Sequence, residues 1–142
     1  VYKRQSRDTA IMQNIKRKMK HESAIIKKRY SVEGMLSIIK CFDMCIGMRL
    51  HTLIYAAINS VPLIGLVYDP KINSFMEYTH QRHYVDVNEV TDENLKKMLD
   101  ECVANYDTIK QDLKENYGHL KEKAKLNGKY AIELYEKGSV TL

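Results

Sequence analysis

The 142-residue sequence has few cysteines and no long apolar run. No stretch approaches the ~20 consecutive apolar residues that a membrane-spanning helix needs. The first thirty residues are dense with Lys and Arg and lack the apolar segment of a signal peptide. These absences predict a cytoplasmic protein with at most peripheral membrane contact. Internal repeats and low-complexity tracts are also missing, which excludes a repeat architecture.

The three cysteines, Cys41, Cys45 and Cys102, are odd in number and too few for a disulfide framework. None has a second Cys or a His pair at the spacing of metal ligands, and His80 and His83 alone are a weak signal. We therefore expect the cysteines to be small buried apolar side chains rather than zinc ligands. No metal and no cofactor are predicted.

Positive charge is concentrated at the start of the chain. Residues 1–30 carry a net charge of +8, whereas the remainder carries −3. A basic segment of this kind suits RNA, an anionic membrane surface or an anionic substrate, or it is simply the solvated face of a helix. Among these charges the only aromatic residues are Tyr2 and Tyr30, so platforms for base stacking are scarce. We expect no nucleic-acid partner.

Apolar periodicity predicts short buried strands alternating with helices. The predicted helices cover about 7–20, 31–39, 49–59 and 71–78, and two more come after a Thr91 cap. The predicted strands cover 24–26, 44–46, 61–67 and, as an edge strand, 84–87. The last helix carries an apolar stripe (Ile109, Leu113, Tyr117, Leu120, Ala124) that Gly118 and Gly128 are expected to interrupt.

Short apolar strands between helices are typical of a parallel sheet, so the fold class is predicted as α/β, a Rossmann-like parallel sheet with flanking helices and a long helical tail. Residues 1–90 are assigned to the layer domain and residues 91–142 to helices packing on it. Residues 1–5 have no clear relation to the helix pattern after them and are interpreted as a foreign junction on a truncated reading frame.

Two predicted strand ends carry the residues with chemical potential. Gly47, Arg49 and His51 come after the strand at 44–46, where a glycine permits close approach, an arginine binds a carboxylate or phosphate, and a histidine transfers protons. Lys71 comes after the strand at 61–67. Adjacent parallel strands would bring both strand ends to one edge of the sheet, where ligands of such sheets bind. The spacing alone leaves open whether these residues form an anion site or are ordinary core and helix residues.

The segment Gly47-Met48-Arg49-Leu50-His51, followed by Tyr68-Asp69-Pro70-Lys71, resembles the carboxy-terminal signature of polysaccharide pyruvyl transferases. The resemblance is strong over about residues 31–80. It implies the donor-binding half of a two-domain, GT-B-like enzyme that transfers the enolpyruvyl unit of phosphoenolpyruvate onto a sugar as a ketal. Members of the family act on cell-wall polymers and exopolysaccharides.

The resemblance also implies roles for single residues. His51 and Lys71 would be catalytic, with His51 the candidate general acid. The substrate would contact Gly47, Arg49, Leu50, Tyr68 and Asp69, and Asp69 would orient either Lys71 or an acceptor hydroxyl. The implied partners are phosphoenolpyruvate, a glycan acceptor that is free or lipid-linked, and a missing amino-terminal domain of the same enzyme. Without that domain, the fragment is expected to be inactive.

Two other interpretations stay open at the level of sequence. A GT-B glycosyltransferase using a nucleotide sugar would share the fold, although no clear acidic residue for a donor ribose is visible. A non-enzymatic nucleic-acid-binding module would use the basic first thirty residues and would show strongly salt-dependent affinity.

Overall fold

The computed structural model describes the backbone of residues 2–138 and the side chains of residues 9–138. Val1 and residues 139–142 lie outside this part, so the first residue of the predicted foreign junction and the last four residues of the predicted tail do as well. The chain forms two compact units, Val1–Ser31 and Val32–Leu142. The predicted division at residue 90 stays a prediction.

The first unit contains one helix, α1 (Tyr2–Lys18), followed by a segment without regular structure. The predicted helix is therefore confirmed, but its apolar stripe is exposed: Ile11 and Ile15 are 51% and 55% exposed. The predicted strand at 24–26 was wrong. A run of three apolar residues keeps a strand conformation only by pairing, and no strand in the described part of the chain pairs with this one.

The second unit alternates helices and strands as predicted. Its elements are α2 (Val32–Ile39), β1 (Cys45–Gly47), α3 (Leu50–Ile58), β2 (Leu63–Val67), α4 (Pro70–Tyr78), β3 (Tyr84–Asp86), α5 (Asp92–Ala104) and α6 (Tyr106–Gly138). The predicted α/β class, the parallel sheet with flanking helices and the long carboxy-terminal helix are confirmed. The described residues contain a sheet of three strands, whereas the sequence predicts four.

The three strands are parallel and lie in the order β1-β2-β3. Gly47 is paired with Gly65, and Val67 with Asp86, so the carboxyl ends of all three strands lie at one edge of the sheet. Each connection between neighbouring strands contains one helix, α3 and then α4, as parallel pairing requires. This edge is where both predicted strand-end motifs lie.

The core forms where α3 and α4 pack on the sheet. Fully buried side chains from each of these elements meet there, including Leu53 of α3, Ile64 of β2 and Met76 of α4. Fully burying one such side chain contributes roughly 1.5–3 kcal/mol to the free energy of unfolding. The two strand-end segments are therefore attached to rigid elements.

Defined caps fix the ends of several helices. Thr91 caps α5 with a reciprocal box, in which its side chain accepts from the Asn94 N–H and the Asn94 side chain accepts from the Thr91 N–H. Two positions after the last residue of α3 and of α4 comes a residue with left-handed backbone angles, Ser60 and His80 respectively, each at φ 54°. In both turns the next residue donates its N–H back to the helix, from Val61 to the Ala56 carbonyl and from Gln81 to the Met76 carbonyl.

The 33-residue helix α6 is attached by its first half. Ile109 and Leu113 are buried, and the Asn116 Nδ2 donates to the Thr79 carbonyl at 3.1 Å. The prediction of a long last helix is confirmed, and Gly118 and Gly128, which were expected to interrupt its apolar stripe, do not break the helix. Each costs a helix only ~1 kcal/mol relative to Ala, and the helix runs through both.

Candidate functional site

The first strand-end segment joins β1 to α3. Arg49 is the N-cap residue of α3, with extended backbone angles, and its side chain does not cap the helix. Its carbonyl accepts from the Thr52 N–H at 3.0 Å, which begins the helix. The backbone N–H groups ahead of Thr52 precede this first hydrogen bond of the helix and carry its partial positive charge. The arrangement thus combines an exposed guanidinium with a helix start that favours anions.

His51 and Leu50 occupy the first turn of α3 but differ in their surroundings. His51 is exposed, and its ring meets the Tyr55 ring edge-on with 6.2 Å between the ring centroids. Leu50 is half-buried and packs against the core. The exposed imidazole of His51 is therefore accessible for proton exchange with a bound ligand, whereas Leu50 contributes apolar packing.

Gly47 is buried between strand and helix. A Cβ at this position would lie 2.9 Å from Leu53 Cδ2 and 3.3 Å from Leu53 Cγ. The missing side chain therefore permits the close approach of Leu53, a contact between helix and strand. The sequence had suggested that Gly47 allows the backbone to approach a ligand, and the structure supplies a packing reason that is sufficient by itself.

The second strand-end segment joins β2 to α4. Asp69 is the N-cap residue, its Oδ1 accepts from the Lys71 N–H at 3.0 Å, and Pro70 occupies the first helical position. The other carboxylate oxygen, Oδ2, lies 3.0 Å from Lys71 Nζ. Asp69 is thus a helix cap and an ion-pair partner at once. Tyr68, directly before it, is 46% exposed.

The Asp69–Lys71 contact affects the titration of both groups. The hydrogen bond from the Lys71 backbone N–H, followed by the one from its ammonium group, holds the pKa of Asp69 below its ordinary value. In return, the hydrogen bond and the charge of Asp69 raise the pKa of Lys71. Lys71 is therefore a protonated cation at neutral pH, fixed in position by its neighbour.

The sheet topology brings the two segments to the same edge. The strands β1 and β2 are neighbours and parallel, so the helices that follow them, α3 and α4, both begin at the carboxyl ends of these strands. Within the predicted set, Asp69 and Lys71 touch each other, whereas Arg49 and His51 share the start of α3. With His51 neutral, Arg49, Asp69 and Lys71 together carry one net positive charge.

A pocket at the ends of β2 and β3 contains residues that the sequence analysis missed. It has a volume of about 600 Å³, and its lining includes Tyr68, Asp69, Tyr84, Asp86 and Glu89. Asp86 is the last residue of β3 and is therefore an acidic residue at a strand end. The sequence had offered no clear acidic residue of the kind that would hold a donor ribose. Ligands of such sheets bind at the carboxyl ends of the strands, and this rule, applied to the predicted strand at 84–87, would have identified Asp86.

Other predictions concern metal and membrane. Cys45 and Cys102 are buried, whereas Cys41 is exposed. Among the described residues, no group of three or more His, Cys, Asp or Glu side chains is arranged to hold a metal ion. In the same part of the chain, no helix combines the length and apolar character needed to cross a bilayer.

Comparison with known proteins gives one match. Residues 1–70 match the family model described as polysaccharide pyruvyl transferase. The matched span includes all of the Gly47–His51 segment and Tyr68–Pro70, and it ends one residue before Lys71. Neither the curated proteins nor the solved structures contain a significant match to the chain.

Proposed function

We propose that the chain, whose residues 1–70 match the polysaccharide pyruvyl transferase family model, belongs to that family and binds phosphoenolpyruvate as the donor for pyruvyl transfer to a sugar. The observation that carries this proposal is the joint position of Arg49, His51 and Lys71. They lie just beyond the ends of two adjacent parallel strands, at the starts of two helices. This position at the sheet edge is the usual ligand site of such sheets.

The donor's charge matches the groups at this edge. Phosphoenolpyruvate carries a carboxylate and a phosphate. A guanidinium binds either group with two parallel hydrogen bonds, and an ammonium acts as a point charge. In the proposed mode, Arg49 and Lys71 hold the two anionic groups, assisted by the N-terminus of α3. The ion pair with Asp69 fixes the Lys71 ammonium before the ligand arrives, which lowers the entropy lost on binding.

The proposed chemistry uses His51 as an acid. Two sugar hydroxyls add to C2 of the donor, the C2–O bond to phosphate breaks, and C3 gains a proton to become a methyl group. One hydroxyl proton thus goes to the methyl group and the other to the departing phosphate. Protonated His51 would supply the proton at C3, a role that typically contributes factors of ~10² to 10⁴ in rate.

The wider setting is part of the same proposal. It includes a two-domain, GT-B-like enzyme of which this chain is the donor-binding half, a cytoplasmic location, and a cell-wall or exopolysaccharide acceptor. Residues from an amino-terminal domain would complete the site. The half-domain alone would then bind the donor weakly and turn over no substrate.

Calorimetric titration of the chain with phosphoenolpyruvate tests the donor assignment. We expect Lys71→Gln and Arg49→Ala to weaken binding about tenfold each, because each removes a charged hydrogen bond. Lys96→Gln is the matched control, since Lys96 is an exposed, ion-paired lysine on α5 and its loss changes the net charge equally. Equal affinity in all four proteins would refute the proposal. A nucleotide sugar that bound, and whose binding the same substitutions weakened, would favour a glycosyltransferase instead.

A further inference from the structure

The pocket at the ends of β2 and β3 differs in character from the cationic segments beside it. Its lining includes two tyrosines, Tyr68 and Tyr84, and three carboxylates, Asp69, Asp86 and Glu89. The remaining polar side chains in the lining are Asn73 and Ser74. Its volume of about 600 Å³ lies within the range of pockets that hold small molecules. The pocket is thus large enough for a ligand and mixes aromatic with polar surface.

The charge of the lining indicates which ligands it disfavours. The described residues of its lining include three carboxylates and no Lys, Arg or His. A phosphate or carboxylate in this pocket would therefore meet like charge. Within the described chain, the carboxylates do not form a group that could hold a metal ion. Anions and metal ions are thus poor occupants.

The hydrogen-bond inventory favours a ligand rich in donors. Asp86 Oδ1 accepts from the Asn88 N–H and from its side-chain amide, which leaves Oδ2 available. Asn73 donates its Nδ2 to Glu77, so its carbonyl oxygen remains as an acceptor. The carboxylate of Glu89 makes no hydrogen bond or ion pair with the described residues, whereas its backbone carbonyl accepts from Asn94. Acceptors of this kind suit sugar hydroxyls, which are donors.

We propose that this pocket holds one uncharged sugar ring of the glycan acceptor. Its hydroxyls would donate to Asp86 and Glu89, and its C–H face would lie against the tyrosines, whose rings offer apolar surface with a polar end. The inference rests on the proposed function, because only a sugar acceptor gives such a pocket a place in the reaction. Asp69 belongs both to the lining and to the Lys71 ion pair, so acceptor and donor would be neighbours.

The test uses the chain with methyl glycosides of glucose, galactose, mannose and N-acetylglucosamine as probes, followed by amide shifts in NMR. We expect at least one glycoside to shift the amides of Tyr68, Asp86 and Glu89. Glu89→Ala should weaken the binding of that glycoside about fivefold, because it removes a hydrogen bond to a charged group. Glu93→Ala, the loss of an equal charge at the start of α5, should leave the affinity unchanged.

Three results would overturn the inference. The first is that no glycoside shifts these amides, and the second is that Glu89→Ala leaves the glycoside affinity unchanged. The third is that uridine or spermidine binds in the pocket more tightly than every glycoside, which would identify a nucleoside or an amine as its ligand. A phosphoenolpyruvate titration of the same sample separates the failures: donor binding without glycoside binding removes only this inference, whereas glycoside binding without donor binding removes the donor assignment.

Discussion

Replacing Gly47 with alanine should destabilise the second unit. The added Cβ would lie 2.9 Å from Leu53 Cδ2, and Leu53 is fully buried, so its side chain has no solvent-facing space into which to move. Overpacking of this kind costs about 1–3 kcal/mol, and we take about 2 kcal/mol here, because the nearest atom is the tip of a side chain but that side chain is fully buried. The alanine regains about 0.4–1 kcal/mol by restricting the unfolded chain. We therefore expect a net loss of about 1 kcal/mol in the free energy of unfolding.

Urea unfolding followed by circular dichroism measures this change, and Gly118→Ala is its control. Gly118 is exposed in the middle of α6 with no atom near the added methyl group, so alanine there should stabilise by about 0.5–1 kcal/mol. In a double-mutant cycle, Leu53→Val should relieve part of the cost of Gly47→Ala. A Gly47→Ala protein that is as stable as wild type but no longer binds phosphoenolpyruvate would refute the packing account and assign the glycine to ligand approach.

Three further predictions concern backbone strain, thiols and a carboxylate. Ser60→Gly and His80→Gly should each raise the free energy of unfolding by up to about 1 kcal/mol in urea titrations, because both residues have left-handed backbone angles that glycine adopts without strain. A loss of stability would contradict this. At pH 8 a disulfide reagent should label the exposed Cys41 quickly and the other two thiols only after denaturation, since burial raises the pKa of Cys102 to about 11; three fast thiols would be the contrary result. Carboxyl NMR titration should give Asp69 a pKa below 3.8. The contribution of Asp69 to the free energy of unfolding is then present above the unfolded-state pKa and is lost as the pH falls through the folded-state pKa. An ordinary pKa for Asp69 would exclude the hydrogen bonds described.

Sequence patterns sufficed for elements whose signals are local. The apolar run that became β2 and the Thr91 cap of α5 fell where predicted. The strand at 24–26 failed because a strand needs a partner, and a run of three apolar residues contains no information about one. The long last helix also formed as predicted, and it continues through Gly118 because a glycine's cost is small against a long helix whose first half is packed.

Part of the candidate site could likewise be predicted from the sequence, and part of it could not. The strand-end rule, applied to the apolar runs alone, was enough to predict Arg49, His51 and Lys71 at one edge of the sheet. Asp69 was expected to orient either Lys71 or an acceptor hydroxyl, and the structure adds that it pairs with Lys71 from the N-cap position of α4. Asp86 lies at the end of a strand that the sequence did predict, whereas the pocket that it lines together with Glu89 could not be predicted, because it forms only when β3 is paired with β2.

The most direct test of the central claim is an amide shift map of the chain during titration with phosphoenolpyruvate. We predict shifts that are centred on residues 47–51 and 68–71 and that are absent in Lys71→Gln and His51→Ala. Shifts confined to the basic residues 9–30, or to the apolar groove between α3, α4 and α6 that includes Phe75 and Leu120, would contradict it. So would a saturating titration that moves neither strand-end segment.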